Sequence, residues 1–445
     1  MTRKLCVGMS VCSLLLLALH GCGSNNNDQQ VTEGGSNSDD QQFTAAQSSA
    51  QRVTDPQVAA GDATTFTSNN EAFALDAYHV MAAQATSNLV FSPTSISLAL
   101  AMTYAGAAGT TASEMATALH FTLPPDQLDA AFDSWDLALA SRGQGMLGAS
   151  GGPMRLDVVN AAWAEQTYTF TSAYLDSLAE YYGAGINLLD FINSPGSART
   201  TINNWVAEQT DQKIQNLLPP GSVDASTRLV LTNAMYLNAA WLQPFDTAKT
   251  GSQSFTRLDN STVTTMFMGV DLYNVPALQG TGFAAVSLPY QDQNLSMLLV
   301  VPDRGTFSSF EASFDATQLD AIVTGLTGQQ VILSMPRFQI TTGQDLVVLL
   351  QSLGMYAAFV SGQADFSGMD GTHNLYISDV LHKAFINVAE TGTEAAAATA
   401  VIGNAAAIML TGLNLYIDRP FLYFLRDQPT GAILFMGRVL DPSQS

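Results

Sequence analysis

Cysteine is absent from most of this chain. The three cysteines, Cys6, Cys12 and Cys22, all fall within the first 22 of 445 residues. A form exported without residues 1–21 would hold no disulfide and a single thiol at its first position. Small exported domains lean on disulfides, so this one is expected to stand on a large apolar core. Basic charge is also scarce: 16 Lys and Arg face 38 Asp and Glu, for a net charge of -22. Residues 1–21 carry Arg3 and Lys4 and no acid, so their removal shifts the net charge to -24. No Lys/Arg cluster offsets this. An acidic surface repels polyanions, which argues against nucleic acid and heparin-type glycans as partners. Charged residues are only 12% and hydrophobic residues 47%, a balance suited to a well-packed globular body. No internal repeat is present.

The motifs of common enzymes are missing as well. The five histidines, His20, His79, His120, His373 and His382, show no ligand spacing, and no cysteine can join them, so neither a metal nor a cofactor is expected. GQGMLG (Gly143–Gly148) imitates a dinucleotide fingerprint but lies inside a Gly-rich loop, SRGQGMLGASGGP, with no strand leading into it. No phosphate-binding Gly-Lys-Ser/Thr loop and no Gly-x-Ser-x-Gly elbow exists. The residues point away from an enzyme. His382 sits in an apolar-flanked strand, ISDVLHKAFINV, and reads as a hydrogen-bonded core histidine.

The N-terminus has the form of a targeting segment. Arg3-Lys4 precedes an apolar run from Leu5 to Leu19, which is short for a membrane span. LHGC (Leu19–Cys22) then resembles a bacterial lipoprotein box, with His20 unusual in it. Residues 1–21 are expected to be a signal peptide and Cys22 a lipidation site. Export to the cell envelope follows, with the outer membrane preferred because Gly23 and Ser24 lack the aspartate of inner-membrane retention. Residues 22–68 are polar and of low complexity and are expected to form a disordered tether. Some 45 flexible residues would span roughly 35–40 Å.

Residues 69–445 read as one globular unit. Asn69–Gln84 is predicted helical, with Phe73, Ala77 and Met81 turned inward. TSAYLDSLAEYYG predicts a second helix with Tyr174, Leu178 and Tyr181 on one face, Thr171 or Ser172 as its cap and Gly183 as its end. Leu229–Leu237, Leu295–Val301 and Val331–Met335 are apolar runs suited to strands covered on both faces. Helices and long buried strands without regular alternation indicate an α+β fold.

One stretch resists such a reading: ETGTEAAAATAVIGNAAAIML, Glu390–Leu410. Its alanines favour helix, yet threonines and glycines interrupt it and no apolar period is present. The segments around it supply the context. NLVFSPTSISLALAMTYAGAAGTTASEMATALHF (Asn88–Phe121), INNWVAEQTDQKIQNLLPPGSVDASTRLVLTNAMYLNAAWLQPFD (Ile202–Asp246), LHKAFINVAETGTEAAAATA (Leu381–Ala400) and DRPFLYFLRDQPTGAILFMGRVLDP (Asp418–Pro442) resemble, in order, the signatures of the serpin family. The resemblance covers roughly residues 69–445. It implies a large central, mainly antiparallel β-sheet with two smaller sheets, about eight or nine helices and an exposed reactive-centre loop. It also implies irreversible inhibition of serine proteases, some members taking cysteine proteases, by loop cleavage and insertion into the central sheet. The non-inhibitory alternative is a binding or structural protein on the same fold. A monomer is expected.

The resemblance assigns the hinge to Glu390, Gly392, Thr393, Glu394, Ala395, Ala396, Ala397, Ala398 and Thr399. Thr391 departs from the second acidic residue frequent in the family. The resemblance also implies, by the family's spacing from Glu390, a reactive bond between Ala406 and Ala407, with Asn404 and Ala405 as neighbouring candidates. A small residue there suits a shallow elastase- or subtilisin-like pocket. Ser92, Ser95, Asn233 and His382 match a cluster beneath the central sheet, and Trp241 a tryptophan near the point of insertion. A strand starting near Thr393 would bury Thr393, Ala395, Ala397, Thr399 and Val401 on one face and turn Glu394 outward. Gly392 would serve as the pivot.

Overall fold

The computed structural model describes residues 31–33, 43–394 and 412–444. Among these are ten α-helices, one 3-10 turn and seventeen strands, an α+β architecture. Eight strands form the central sheet, in the spatial order Val31–Glu33, Thr44–Ala46, Ile186–Leu189, Arg155–Glu165, Leu229–Ala240, Gly392–Thr393, Asp379–Ala389 and Phe338–Asp345. Its pairings are antiparallel except for Arg155–Glu165 with Ile186–Leu189 and Leu229–Ala240 with Asp379–Ala389. The two smaller sheets anticipated from sequence are joined into one nine-stranded sheet. They join because Thr262–Gln279, 18 residues long, pairs with Thr327–Pro336 along most of its length and with Phe283–Pro289 at its end.

The predicted helices form for the stated reasons. Ala60–Gln84 buries Phe73, Ala77 and Met81 at 1% exposure or less. Ser172–Tyr182 is capped by Thr171, whose hydroxyl accepts from the Tyr174 N–H at 3.3 Å, and ends at Gly183 with φ 57°. On its inner face Tyr182 replaces the expected Tyr181, and its hydroxyl donates to Asp129 at 2.6 Å. Leu229–Ala240 is buried along its whole length. One face packs on the main core; the other is covered by the helix Pro195–Gln209 and the segment after it, through Ile202, Val206, Ile214 and Leu218.

The tether expectation, 22–68, is corrected at Val31–Glu33, the edge strand of the central sheet, and from Phe43 onward. Thr44–Ala46 adds a strand to the edge of Ile186–Leu189, burying Ala45 and Ala46. Phe43 packs edge-on against Trp163 at 5.2 Å. Arg52 reaches Asp133 at 2.8 Å and Asp136 at 2.5 Å, and the first long helix starts at Ala60, with Phe66 buried. A few apolar side chains and one arginine suffice to seat a segment whose composition is polar. Replacing Arg52 with alanine strands the Asp133 carboxylate, which is fully enclosed. The expected loss is about 1–3 kcal/mol at pH 7, read as a lower thermal midpoint. The gap to wild type narrows as pH falls, because burial raises the Asp133 pKa and the Arg52 guanidinium that opposes this is gone.

Candidate functional site

The central sheet contains a seam. Val230–Met235 pairs in parallel with Asp379–Ala384, and there the direct pairing stops. Further along, the two strands part and Gly392–Thr393 lies between them, antiparallel to both. Thr393 stands opposite Ala239 on one side and Val388 on the other. Gly392 and Thr393 of the hinge assigned from sequence therefore occupy the first two positions of a slot between these strands.

Gly392 fits because nothing larger can. A Cβ there would lie 2.1 Å from the Ala239 carbonyl oxygen and 2.8 Å from Ala240 Cα. Thr393 is buried, its hydroxyl 2.5 Å from that of Tyr290. Tyr290 stacks on Trp241 with ring centroids 4.4 Å apart. Trp241 then clasps the turn before the slot: its indole N–H donates to the Ala389 carbonyl at 2.9 Å and its backbone N–H to that of Thr391 at 3.0 Å. Glu390 is held by Arg337 (2.8 Å to Nε) and by the Thr250 hydroxyl at 2.7 Å. Burial would raise its pKa, but the Arg337 guanidinium and the Thr250 hydroxyl outweigh burial and hold it below the usual value. Thr391 Oγ1 is enclosed without a hydrogen-bond partner, so an acid at this position would bury a charge.

Glu394 departs from the expectation of an outward, solvated charge. It is only 7% exposed and has φ 60°. The reason is the covering segment after the helix Pro195–Gln209, from which Lys213 reaches Glu394 at 2.5 Å. Burial, then the nearby Glu394 carboxylate, push the Tyr236 phenol upward. Lys383 on the other strand of the seam donates to the Gln215 carbonyl at 2.7 Å. The covering segment is thus tied to both the hinge and the far side of the slot.

Beneath the seam, Ser92, Ser95, Asn233 and His382 come together, all at 0% exposure. Asn233 and His382 face each other across the parallel pair. The Ser92 backbone N–H donates to His382 Nε2 at 3.2 Å, so Nδ1 carries the proton and donates to Asn233 Oδ1. The Asn233 amide donates to Ser95 Oγ and to Asn160, and the Ser92 hydroxyl caps the helix Pro93–Tyr104. Burial lowers the His382 pKa to about 3.

Sequence reasoning missed Tyr290, Arg337, Thr250, Lys213 and Asn160. Nothing local marks them, since each acts by a contact remote in sequence. Ala395, Ala396, Ala397, Ala398, Thr399, Ala406, Ala407 and Cys22 lie outside the described residues.

The fold and this seam define a central sheet whose two middle strands part around Gly392–Thr393 of the same chain. The chain belongs to the serpin family: the family model described as Serpin (serine protease inhibitor) matches residues 68–442. It is 36% identical over 372 residues to an uncharacterized serpin-like protein of Thermococcus kodakarensis, covering 83% of this chain and 84% of that one. It is 34% identical over 395 residues to the leukocyte elastase inhibitor of Equus caballus, covering 84% and 98%. Among solved structures, the thermophilic serpin tengpin in its native state matches with a TM-score of 0.77 at 26% identity, covering 89% and 99%. Protease inhibition, rather than catalysis, is the family's general activity.

The seam cluster carries a pH signature. His382 binds its proton with a pKa near 3 when folded against about 6.5 when unfolded, so the unfolded chain binds more protons between these values. Stability is full above about pH 6.5 and falls as pH drops toward 3, by up to ~1.4 kcal/mol per pH unit from this group. Thermal midpoints of wild type and His382→Gln, measured from pH 7.5 to 4, should show the variant less stable at pH 7.5 but flatter below 6.5. Parallel acid slopes would remove His382 from this role.

Proposed function

We propose that this protein is an irreversible, suicide-substrate inhibitor of serine endopeptidases, elastase-like or subtilisin-like in specificity. In this reading the bond between Ala406 and Ala407 is the bait. The protease serine attacks the Ala406 carbonyl, the peptide bond breaks, and the Ala407 amine leaves with the proton. The Ala406 acyl group stays on the serine as an ester. Segment 393–401 then enters the seam as a strand and carries the acylated enzyme with it before water can free it.

One observation supports this most: Gly392 and Thr393 already stand between the two strands that must part, hydrogen-bonded in register to each. The residues next in sequence suit the same slot. Ala395, Ala397 and Thr399, which an inserted strand would turn inward, are small, and no proline interrupts them. Names among the relatives, such as leukocyte elastase inhibitor, agree with a small residue at the bait. The proposal includes export, lipid attachment at Cys22 to the cell envelope, with the outer membrane preferred, and a tether shortened to end before Val31. It also includes a monomeric protein.

Mixing the soluble domain with an elastase and running a denaturing gel separates inhibition from the non-inhibitory alternative. Inhibition gives a covalent complex that survives SDS. Clean cleavage without a complex, and without a rise in thermal stability, would overturn it. Thr393→Arg tests the mechanism. Thr393 is 2% exposed against the Tyr290 hydroxyl, so an arginine must either bury its charge or stay out. The expected outcome is a shift from trapping to substrate turnover, with the stoichiometry of inhibition rising several-fold. Unchanged stoichiometry would show the register to be wrong.

A further inference from the structure

The Gly-rich stretch SRGQGMLGASGGP folds back onto the slot. It leaves the helix Pro125–Ala140, and Arg142 fastens its start to the Asp427 carboxylate through Nε at 2.5 Å and Nη2 at 3.1 Å. A small hairpin follows. The Met154 N–H donates to the Met146 carbonyl at 3.0 Å, Leu147 bridges to Pro153, and the Gly148 N–H donates to the Gly152 carbonyl at 2.8 Å. Gly151, with φ 84°, turns the tip.

The tip lies on the hinge. Ala149 is 2% exposed. A Cβ on Gly392 would lie 2.8 Å from the Ala149 Cβ, so this methyl fills the space that the glycine's missing side chain leaves. Asn238 grips the next residue: its amide donates to the Ser150 hydroxyl at 2.7 Å, and its Oδ1 accepts from the Ser150 N–H at 3.4 Å. A Cβ on Gly148 would fall 2.5 Å from Asn238 Oδ1, so a glycine lets the hairpin sit this low. Asn238 and Ala240 lie two apart on one strand, and Gly392 stands directly opposite Ala240, so all three share a face. Thr393, one residue on, turns to the other face, where Tyr290 holds it. The two seated hinge residues are thereby held from opposite sides, Thr393 by its own side chain and Gly392 by a methyl lent from the hairpin.

We propose that the hairpin 146–154 is a clip that keeps the first two hinge residues seated, with Ala149 and Asn238 as positioning residues for strand entry. It rests on the inhibitory reading and deepens it. A strand that begins from a free loop must order its first residues before any pairing rewards them; two residues already in register remove that step. Water competes for the acyl ester while entry is delayed, so a seated hinge favours trapping over release. The hairpin meets the slot at the level of Gly392, a position already filled, so a strand lengthening from Thr393 does not have to displace it.

Amide hydrogen exchange, read by mass on peptides spanning 390–394, reports seating without any protease. Asn238→Ala removes both bonds to Ser150, and Ala149→Leu is too large for the space above Gly392. Each should speed exchange of the hinge amides about tenfold, the change that losing one or two hydrogen bonds brings. Unchanged exchange in Val230–Met235 verifies the rest of the sheet. Asn238→Asp keeps acceptors for the Ser150 N–H and hydroxyl, with Arg155 directly opposite to balance its charge, and should restore wild-type exchange. Against an elastase, Asn238→Ala and Ala149→Leu should raise the stoichiometry of inhibition at least twofold while the bait is cut at the wild-type rate, and Asn238→Asp should return it. Wild-type exchange in both Asn238→Ala and Ala149→Leu overturns the clip and leaves the inhibitory reading standing. Faster exchange at unchanged stoichiometry overturns it as well, because the hairpin would then seat the hinge without serving entry. Wild type that is cleaved without forming a complex overturns both readings.

Discussion

Parallel pairing from Val230 to Met235 against Asp379 to Ala384 holds the two halves of the central sheet together. Parallel ladders are slanted and slightly weaker per residue than antiparallel ones. On their outer sides both strands have antiparallel partners, Arg155–Glu165 and Phe338–Asp345. A strand entering the seam antiparallel to both neighbours exchanges one parallel ladder for two antiparallel ones. In the proposed insertion that exchange sets the downhill direction, and Gly392–Thr393 already pairs in this way over two residues. The rest of the architecture would then control when insertion continues.

Two layers of contacts resist it, and they differ in kind. Above the seam, the segment after Pro195–Gln209 is tied across the slot by Lys213 to Glu394 and by Lys383 to Gln215. These are single polar contacts over partly covered side chains, which break and re-form locally. Below it, the Ser92, Ser95, Asn233 and His382 cluster is fully buried and fixed in one tautomer. Interdigitated apolar side chains at that place would have to open a void as the strands separate. Hydrogen bonds can instead be handed to a new partner. The Asn160 amide, buried and unpaired, is a donor already waiting there.

The glycine, the small residues and the buried strands were legible in the sequence because each reflects a local requirement. Gly392 is demanded by backbone approach, and Leu229–Ala240 by burial on both faces. What stayed hidden depends on contacts distant along the chain. Arg337 is 53 residues from Glu390, and Tyr290 is 103 from Thr393. Alternation alone turns Glu394 to the outward face, and it cannot register that another segment covers that face. Residues from Phe43 to Thr67 look like a tether in composition, yet Phe43, Ala45, Ala46, Arg52 and Phe66 are enough to seat them. Polarity on average is a poor guide where a few side chains carry the packing.

The same constraint that makes the hinge readable also limits what it can say. A segment that must slide into a closed sheet has to be small on its inward face, and from Thr393 to Val401 it is nearly all alanine and threonine. Small side chains offer a protease little to distinguish, since one methylene in a pocket discriminates only about 10–200-fold. Bulk added for recognition in this segment would be bulk the seam must swallow. Selectivity is therefore cheaper to place on parts of the molecule that never move.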